Sequence, residues 1–233
     1  MTSSIQNKFK FANIILFICT VCCLIYYDYH GGLWLKGVTS GWFVLLGLVN
    51  LIYSFKMKTK SKIVVLIFCG LLLGMCADVL LGINFIMGVL CFALGHVFYI
   101  ISFFSIEKPK IKDLAFIVPI AIFAIIIVTK TPFIQVEDPF MQKLLVGYAV
   151  IISCMLGKAL SNYLADKCLS RKIIALGSVM FMFSDLMLAV DMFGVPSRMT
   201  WILCSYTYWP AQCLLAVSMF LLINELKGES FKE

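Results

Sequence analysis

Residues 63–81 read IVVLIFCGLLLGMCADVLL, a run of 19 residues in which Asp78 is the one charged side chain. An apolar run of this length spans the hydrocarbon layer of a bilayer as an α-helix, because about 20 helical residues cover roughly 30 Å. Comparable runs recur along the chain. They predict an all-α, polytopic bundle of eight transmembrane helices at residues 11–27, 38–55, 63–81, 85–105, 114–128, 144–164, 173–193 and 201–222.

The composition of the whole chain is that of a membrane protein. Hydrophobic residues make up 62% and charged residues 13% of the 233 positions, whereas soluble domains are about half apolar and a quarter charged. The net charge of +7 comes from basic residues in short loops rather than from one patch, which argues against a nucleic-acid-binding surface. We therefore expect a single transmembrane domain over residues 1–233 and no nucleic-acid partner.

The Lys and Arg residues lie mainly on one side of the predicted spans. Fourteen face the cytoplasm and four face the other side if the N-terminus is cytoplasmic, and this bias predicts that both termini are cytoplasmic. The lysine-rich loops suit the endoplasmic reticulum membrane, although other membranes fit equally well. Lys158 lies within the sixth span, where we expect its ammonium to extend to the interface. The fourteen are Lys8, Lys10, Lys56, Lys58, Lys60, Lys62, Lys108, Lys110, Lys112, Lys167, Arg171, Lys172, Lys227 and Lys232.

Two carboxylates lie within predicted spans, Asp78 in the third and Asp185 in the seventh. A charged side chain inside a bilayer costs roughly 2.5–3.5 kcal/mol, so such residues usually have a function. Both fall at a comparable depth, and we expect them to face one cavity. The alternative is a structural role, in which each Asp forms hydrogen bonds with a neighbouring helix.

The two Asp-bearing spans resemble each other. Each has a Gly eight residues before its Asp, at Gly70 and Gly177, and the two spans are four helices apart. This similarity predicts a possible parallel four-plus-four repeat. Gly70, Gly74 and Asp78 also recur every four residues on one helix face, where small residues let helices approach closely. Asp78 is therefore expected to point into the bundle.

Further polar residues lie on the fourth and eighth spans. His96 and Tyr99 are three residues apart and share a helix face, so they can contact the same neighbour. Tyr208 and Gln212 share a face of the eighth span, with Pro210 between them. A proline there kinks the helix and frees a backbone carbonyl, which suits the wall of a polar site. The alternative for these residues is helix packing alone.

Four spans carry short motifs that resemble a known family. The third has Ala77-Asp78, the seventh has SDLMLA at residues 184–189, the eighth has TYWPAQ at residues 207–212, and the fourth has Phe85, Gly88, Phe92, His96 and Tyr99. Together they resemble the YhhN-like lysoplasmalogenase family of multi-pass membrane proteins. The chain departs from the family pattern at Gly37, Ala77 and Trp209.

The resemblance implies an activity and a site. It implies an ether hydrolase that cleaves the vinyl ether bond of lysoplasmalogen, giving a fatty aldehyde and glycerophosphocholine or glycerophosphoethanolamine. It also implies that Asp78 and Asp185 are the catalytic residues. The residues implied to line the substrate site are His96, Tyr99, Ser184, Tyr208 and Gln212.

The chemistry of a vinyl ether suits a pair of carboxylates. Hydrolysis needs a proton on the alkene carbon and an anion that stabilises the oxocarbenium ion until water captures it. A carboxyl in an apolar bundle favours its neutral form and can be the acid, while an ionised partner stabilises the cation. No metal or organic cofactor is needed, and either Asp could be the acid. The alternative function is a transporter or lipid-binding protein in which the Asp pair binds protons or cations.

Overall fold

The computed structural model describes residues 2–59 and 61–228. Within these ranges it contains eight α-helices and no β-strands, and each helix is long and apolar enough to cross a membrane. The predicted all-α fold with eight transmembrane helices is confirmed, and the chain is a multi-pass membrane protein. The helices are α1 (Thr2–His30), α2 (Leu33–Lys56), α3 (Lys62–Leu81), α4 (Phe85–Ile106), α5 (Ile111–Lys130), α6 (Pro139–Ala165), α7 (Leu169–Phe193) and α8 (Arg198–Leu226).

Every predicted span lies inside its helix, but several helices extend beyond the apolar segment. α6 and α8 start early because polar residues cap them: Asp138 accepts a hydrogen bond from the backbone N–H of Phe140, and Ser197 accepts one from that of Thr200. Such caps satisfy backbone donors that a helix end leaves unpaired. Two members of the basic set, Lys60 and Lys232, lie outside the described residues.

Each pair of consecutive helices except α4 and α5 packs together within the described ranges, and α8 has the most extensive contacts with the rest of the bundle. α8 packs on α1, α2, α3 and α7, while α6 packs on α4, α5 and α7. The α3–α4 pair is among the closest, and its crossing lies at Gly70 and Gly95. A Cβ at Gly95 would be 3.4 Å from the carbonyl oxygen of Gly70, and one at Gly70 would overlap the ring of Tyr99. The small residues of α3 therefore allow the close approach that the sequence predicts.

The contacts follow the four-plus-four repeat for most helices. α3 pairs with α4 as α7 pairs with α8, and α2 packs on α8 as its counterpart α6 packs on α4. The pattern fails in two places: α3 packs on α8 whereas α7 has no matching close packing on α4 within the described ranges, and α5 also departs from it. Its counterpart α1 packs on both α2 and α8, whereas over the described part of the chain α5 packs on α6 alone. Helix packing therefore does not cover the side of the bundle between α4 and α5, which we call the α4–α5 seam.

The side chain of Lys158, expected to extend to the interface, is fully buried in the protein, and its ammonium lies 3.3 Å from the backbone carbonyl oxygen of Lys108 in the loop between α4 and α5. Its ammonium donates a hydrogen bond to Oδ2 of Asp113 (2.9 Å), and Ser161 donates one to Oδ1 of the same carboxylate (2.5 Å). α5 and α6 come this close because Gly157 has no Cβ, which would overlap the backbone of Ile117. Asp113 on the adjacent helix thus compensates the charge of the buried ammonium and accepts a hydrogen bond from it.

The orientation of the bundle can be tested at its loops. Since eight spans alternate in direction, the loop at Thr59 lies at one end of the bundle, and the loops at Pro132 and Pro196 lie at the other. The basic bias predicts that the Thr59 end is cytoplasmic. Glycosylation acceptors inserted after Pro132 and after Pro196 should be modified in microsomes, and one inserted after Thr59 should not. Modification after Thr59 would reverse the orientation.

Candidate active site

Asp78 lies on the inner face of α3 and is held by residues of α2 and α8. Its side chain is almost fully buried. Ser40 and Tyr208 donate hydrogen bonds to its Oδ2, at 2.5 Å and 2.8 Å, and Nζ of Lys36 lies 3.5 Å from Oδ1. Two hydroxyl donors and one ammonium thus face this carboxylate, and together they compensate a negative charge on it.

A second set of hydrogen bonds fixes the donors around Asp78. Nε1 of Trp209 donates to Oγ of Ser40 (3.1 Å), and Nε2 of Gln212 donates to the hydroxyl oxygen of Tyr208 (3.3 Å). The hydroxyl of Tyr99 then donates to Oε1 of Gln212 (2.8 Å). Gly74 leaves the space that the Gln212 amide occupies, since a Cβ there would overlap it. The donors therefore have little freedom to turn away from Asp78.

Asp185 lies on α7 and is held by residues of α6 and α4. Tyr148 donates a hydrogen bond to its Oδ2 (2.5 Å). Nε2 of His96 lies 3.3 Å from the same oxygen and 2.8 Å from the hydroxyl of Tyr148. Because that hydroxyl donates to Asp185, its oxygen can accept a hydrogen bond from Nε2–H of His96. The histidine ring is buried and packs against Phe181, which fixes its orientation.

The two carboxylates are contacted from helices that correspond in the predicted four-plus-four repeat. Asp78 is contacted from α2 and α8, and Asp185 is contacted from their counterparts α6 and α4. The chemistry of the two places differs, because Asp78 faces an ammonium while Asp185 faces an imidazole. The two carboxylates are therefore held from helices that correspond in the predicted repeat, in surroundings of unequal charge.

Both carboxylates line one cavity of about 80 Å³, which also has apolar walls such as Leu81; it is called the polar cavity because Lys36, Asp191 and Tyr208 line it too. Asp191 accepts a hydrogen bond from Thr200 (2.6 Å) at the start of α8. A water needs only about 10–15 Å³ of such space and two or more polar partners, so the cavity has room for several water molecules.

A second cavity, of about 90 Å³, lies between α4, α5, α6 and α7. Its walls are apolar except at Asp185 and Tyr148, and they include Phe92, Phe123 and Ala124. Phe92, Asp185 and Leu188 line both cavities. Asp185 therefore lies on the boundary between a polar space and an apolar one.

The structure brings some of the expected site residues to the polar cavity and leaves others behind its wall. Asp78, Asp185, Ser184 and Tyr208 line it. His96, Tyr99 and Gln212 are absent from the lining and instead form hydrogen bonds with residues that belong to it or to each other. Across residues 2–59 and 61–228, no group of three His, Cys, Asp or Glu side chains is arranged to hold a metal ion.

Sequence reasoning missed three residues that contact the carboxylates. Lys36 and Ser40 lie one helical turn apart at the start of α2 and both contact Asp78. Their spacing on one face is a usable signal, but the predicted second span begins at residue 38 and leaves Lys36 outside it. Tyr148 had no such signal, because it is an isolated phenol in an apolar helix.

Comparison with known protein families gives a match over most of the chain. The sequence model of the YhhN family matches residues 36–219, more than half of the chain. The matched range includes Lys36, both carboxylates and every residue that holds them. No curated protein and no solved structure matches the chain.

Proposed function

Because the chain belongs to the YhhN family, we propose that it is a lysoplasmalogenase. In this reaction water cleaves the vinyl ether bond of a lysoplasmalogen, and the products are a fatty aldehyde and glycerophosphocholine or glycerophosphoethanolamine. The observation that carries the proposal is that Asp78 and Asp185 line one polar cavity, while Asp185 also lines the apolar one. A substrate with a polar head and a hydrocarbon chain suits this boundary.

The unequal surroundings of the carboxylates support a division of labour. Asp78 faces Lys36 and two hydroxyl donors, so it is the better candidate for the anion. Asp185 borders the apolar cavity, which suits the hydrocarbon chain that carries the alkene carbon. Asp185 is therefore assigned as the general acid, and Asp78 stabilises the positive charge and orients water.

The proposed steps balance in atoms and charge. Asp185 donates its proton to the alkene carbon remote from the ether oxygen, which leaves an oxocarbenium ion. Water adds to the carbon bonded to oxygen, and the proton released in this addition returns to a carboxylate. The resulting hemiacetal collapses to the aldehyde and the glycerol hydroxyl. The two-carboxylate arrangement parallels the logic of glycosidases by analogy only.

The activity can be tested with purified protein in nanodiscs. Fatty aldehyde should be released from lysoplasmalogen, and none from the saturated alkyl ether analogue, because a saturated carbon cannot accept the proton. The acyl lysophospholipid should also remain intact. Absence of aldehyde release by folded protein would contradict the proposal. Proton- or cation-driven flux in liposomes would then favour the transporter alternative.

Lys36 is proposed to bind the phosphate of the head group. Within the described ranges it is the one Lys or Arg whose side chain lines the polar cavity, and it is partly exposed there. Charge-assisted hydrogen bonds contribute about 1.5–3 kcal/mol, so Lys36→Met should raise KM by about tenfold or more, whereas Lys36→Arg should retain most affinity. Lys143→Met, at an exposed lysine of α6, is the matched control. An unchanged KM in Lys36→Met would refute this role.

A further inference from the structure

We propose that the apolar cavity between α4, α5, α6 and α7 binds the hydrocarbon chain of the substrate, and that the chain enters sideways from the bilayer between α4 and α5. This inference rests on the proposed function for the identity of the reacting bond. It goes further by assigning a binding site and an entry path to the chain.

The first argument is the chemistry of the cavity. Its lining consists of aliphatic and aromatic side chains from four helices, and only Asp185 and Tyr148 bring polar atoms to it. Those two polar groups are hydrogen-bonded to each other, so the remaining wall has no polar partner to offer a ligand. Apolar pockets of this kind favour hydrocarbon over water.

The second argument is position. Phe92, Asp185 and Leu188 separate the apolar cavity from the polar one and line both. A lysolipid with its head group beside Lys36 and its chain in the apolar cavity would place the first bonds of the chain next to Asp185. In a lysoplasmalogen those bonds are the vinyl ether, so the two cavities together align the reacting carbon with the proposed acid.

The third argument is the open seam. α5 packs on α6 alone within the described ranges, so no helix contact closes the α4–α5 side. Phe123 of α5 lines the cavity and is also 62% exposed on the outer surface. A side chain that lines a cavity and is also exposed on the outer surface lies at the opening, or mouth, of that cavity. Because α5 is long and apolar enough to span a membrane, a mouth on its outer surface would open to lipid chains and give them a path from the bilayer to Asp185.

The fourth argument is how α5 is attached. At one end Asp113 pairs with the buried Lys158 of α6. At the other end, the loop that follows α5 is attached to the end of α7, where the backbone N–H of Gln135 donates to the carbonyl of Phe193 (2.8 Å). Pro119 removes one backbone hydrogen bond within the helix. The ends of α5 are thus fixed, while the α4-facing side between them can yield to a chain.

Substitution of a small cavity residue tests the proposal. Ala124 of α5 is buried and lines the cavity, so Ala124→Phe should fill it. For long-chain lysoplasmalogen we expect kcat/KM to fall by about tenfold or more, while a short-chain analogue that does not reach the filled space should change less than about threefold. Ala115→Phe, at an exposed position of the same helix, should leave both substrates unchanged. Equal losses for both chain lengths in folded Ala124→Phe would contradict the proposal.

A binding experiment separates this inference from the proposed activity. An alkyl-ether lysophospholipid with a photoreactive group at its chain end cannot be hydrolysed, and it can be crosslinked to the wild-type protein in nanodiscs. Crosslinks should map to cavity-lining residues of α4–α7 and should decrease in Ala124→Phe but not in Ala115→Phe. This result would hold even if the wild-type protein released no aldehyde. Crosslinks confined to the outer surface of other helices would overturn the inference.

Discussion

Replacing Asp185 by Asn is expected to lower the turnover of lysoplasmalogen at least about a hundredfold, the scale of a lost general acid. Asn keeps the size of the side chain and can still pair with Tyr148, which now donates to Asp185 at 2.5 Å. It cannot release a proton to the alkene carbon. The substitution therefore removes the proton donor but leaves the hydrogen bonds around residue 185 largely in place. Substrate binding should survive.

Asp78→Asn should cause a loss of similar size for a different reason. It removes the negative charge that faces Lys36 and that is proposed to stabilise the oxocarbenium ion. Residues that act as a unit are strongly non-additive, so the double Asn variant should be scarcely worse than the poorer single one. His96→Ala and Gln212→Ala should give milder losses, because both residues lie behind the cavity wall.

The measurement for these variants is aldehyde release per folded molecule in nanodiscs, with binding followed separately by the photoreactive ether. Asp166→Asn is the matched control, since this carboxylate is largely exposed and pairs with Arg171 away from the cavities. It should stay within about twofold of wild type, as surface substitutions usually do. Near-normal turnover in either Asp78→Asn or Asp185→Asn would refute the two-carboxylate mechanism.

Lys158→Met is expected to lower the free energy of unfolding by about 3–5 kcal/mol, because removing one partner of a buried ion pair leaves an unpaired charge. Asp113 is 3% exposed and Lys158 is fully buried. After the change, Asp113 would keep the hydrogen bond from Ser161 but lose its cation. Since the pair ties α5 to α6, we expect the loss of stability to include separation of these two helices.

A double variant separates charge from packing. Lys158→Met with Asp113→Asn removes both charges, so it should recover most of the stability that the single change loses. Lys172→Met, at an exposed lysine of α7, should change stability by no more than about 0.5 kcal/mol. Unfolding in detergent, followed by circular dichroism, measures all three. A single Lys158→Met variant as stable as wild type would show that the pair contributes nothing.

The fold class and the inward placement of the carboxylates follow from the amino-acid sequence. Eight apolar runs suffice for eight helices, because a bilayer offers no partners for backbone N–H and C=O groups and so forces each crossing into an α-helix. The cost of a charge in hydrocarbon marked Asp78 and Asp185 as inward residues. The Gly70 face predicted close packing, and α3 and α4 do cross there.

The partners of those residues, in contrast, depend on how the eight helices pack together. Helical periodicity gives the face on which a side chain lies but carries no information about which helix stands opposite, since that depends on how all eight pack together. Lys36 on α2, Tyr148 on α6 and Asp113 on α5 therefore became visible as partners only in the bundle. The α4–α5 seam could not be predicted for the same reason. α5 is as apolar as its neighbours, and only the lack of packing between α5 and α4 distinguishes it.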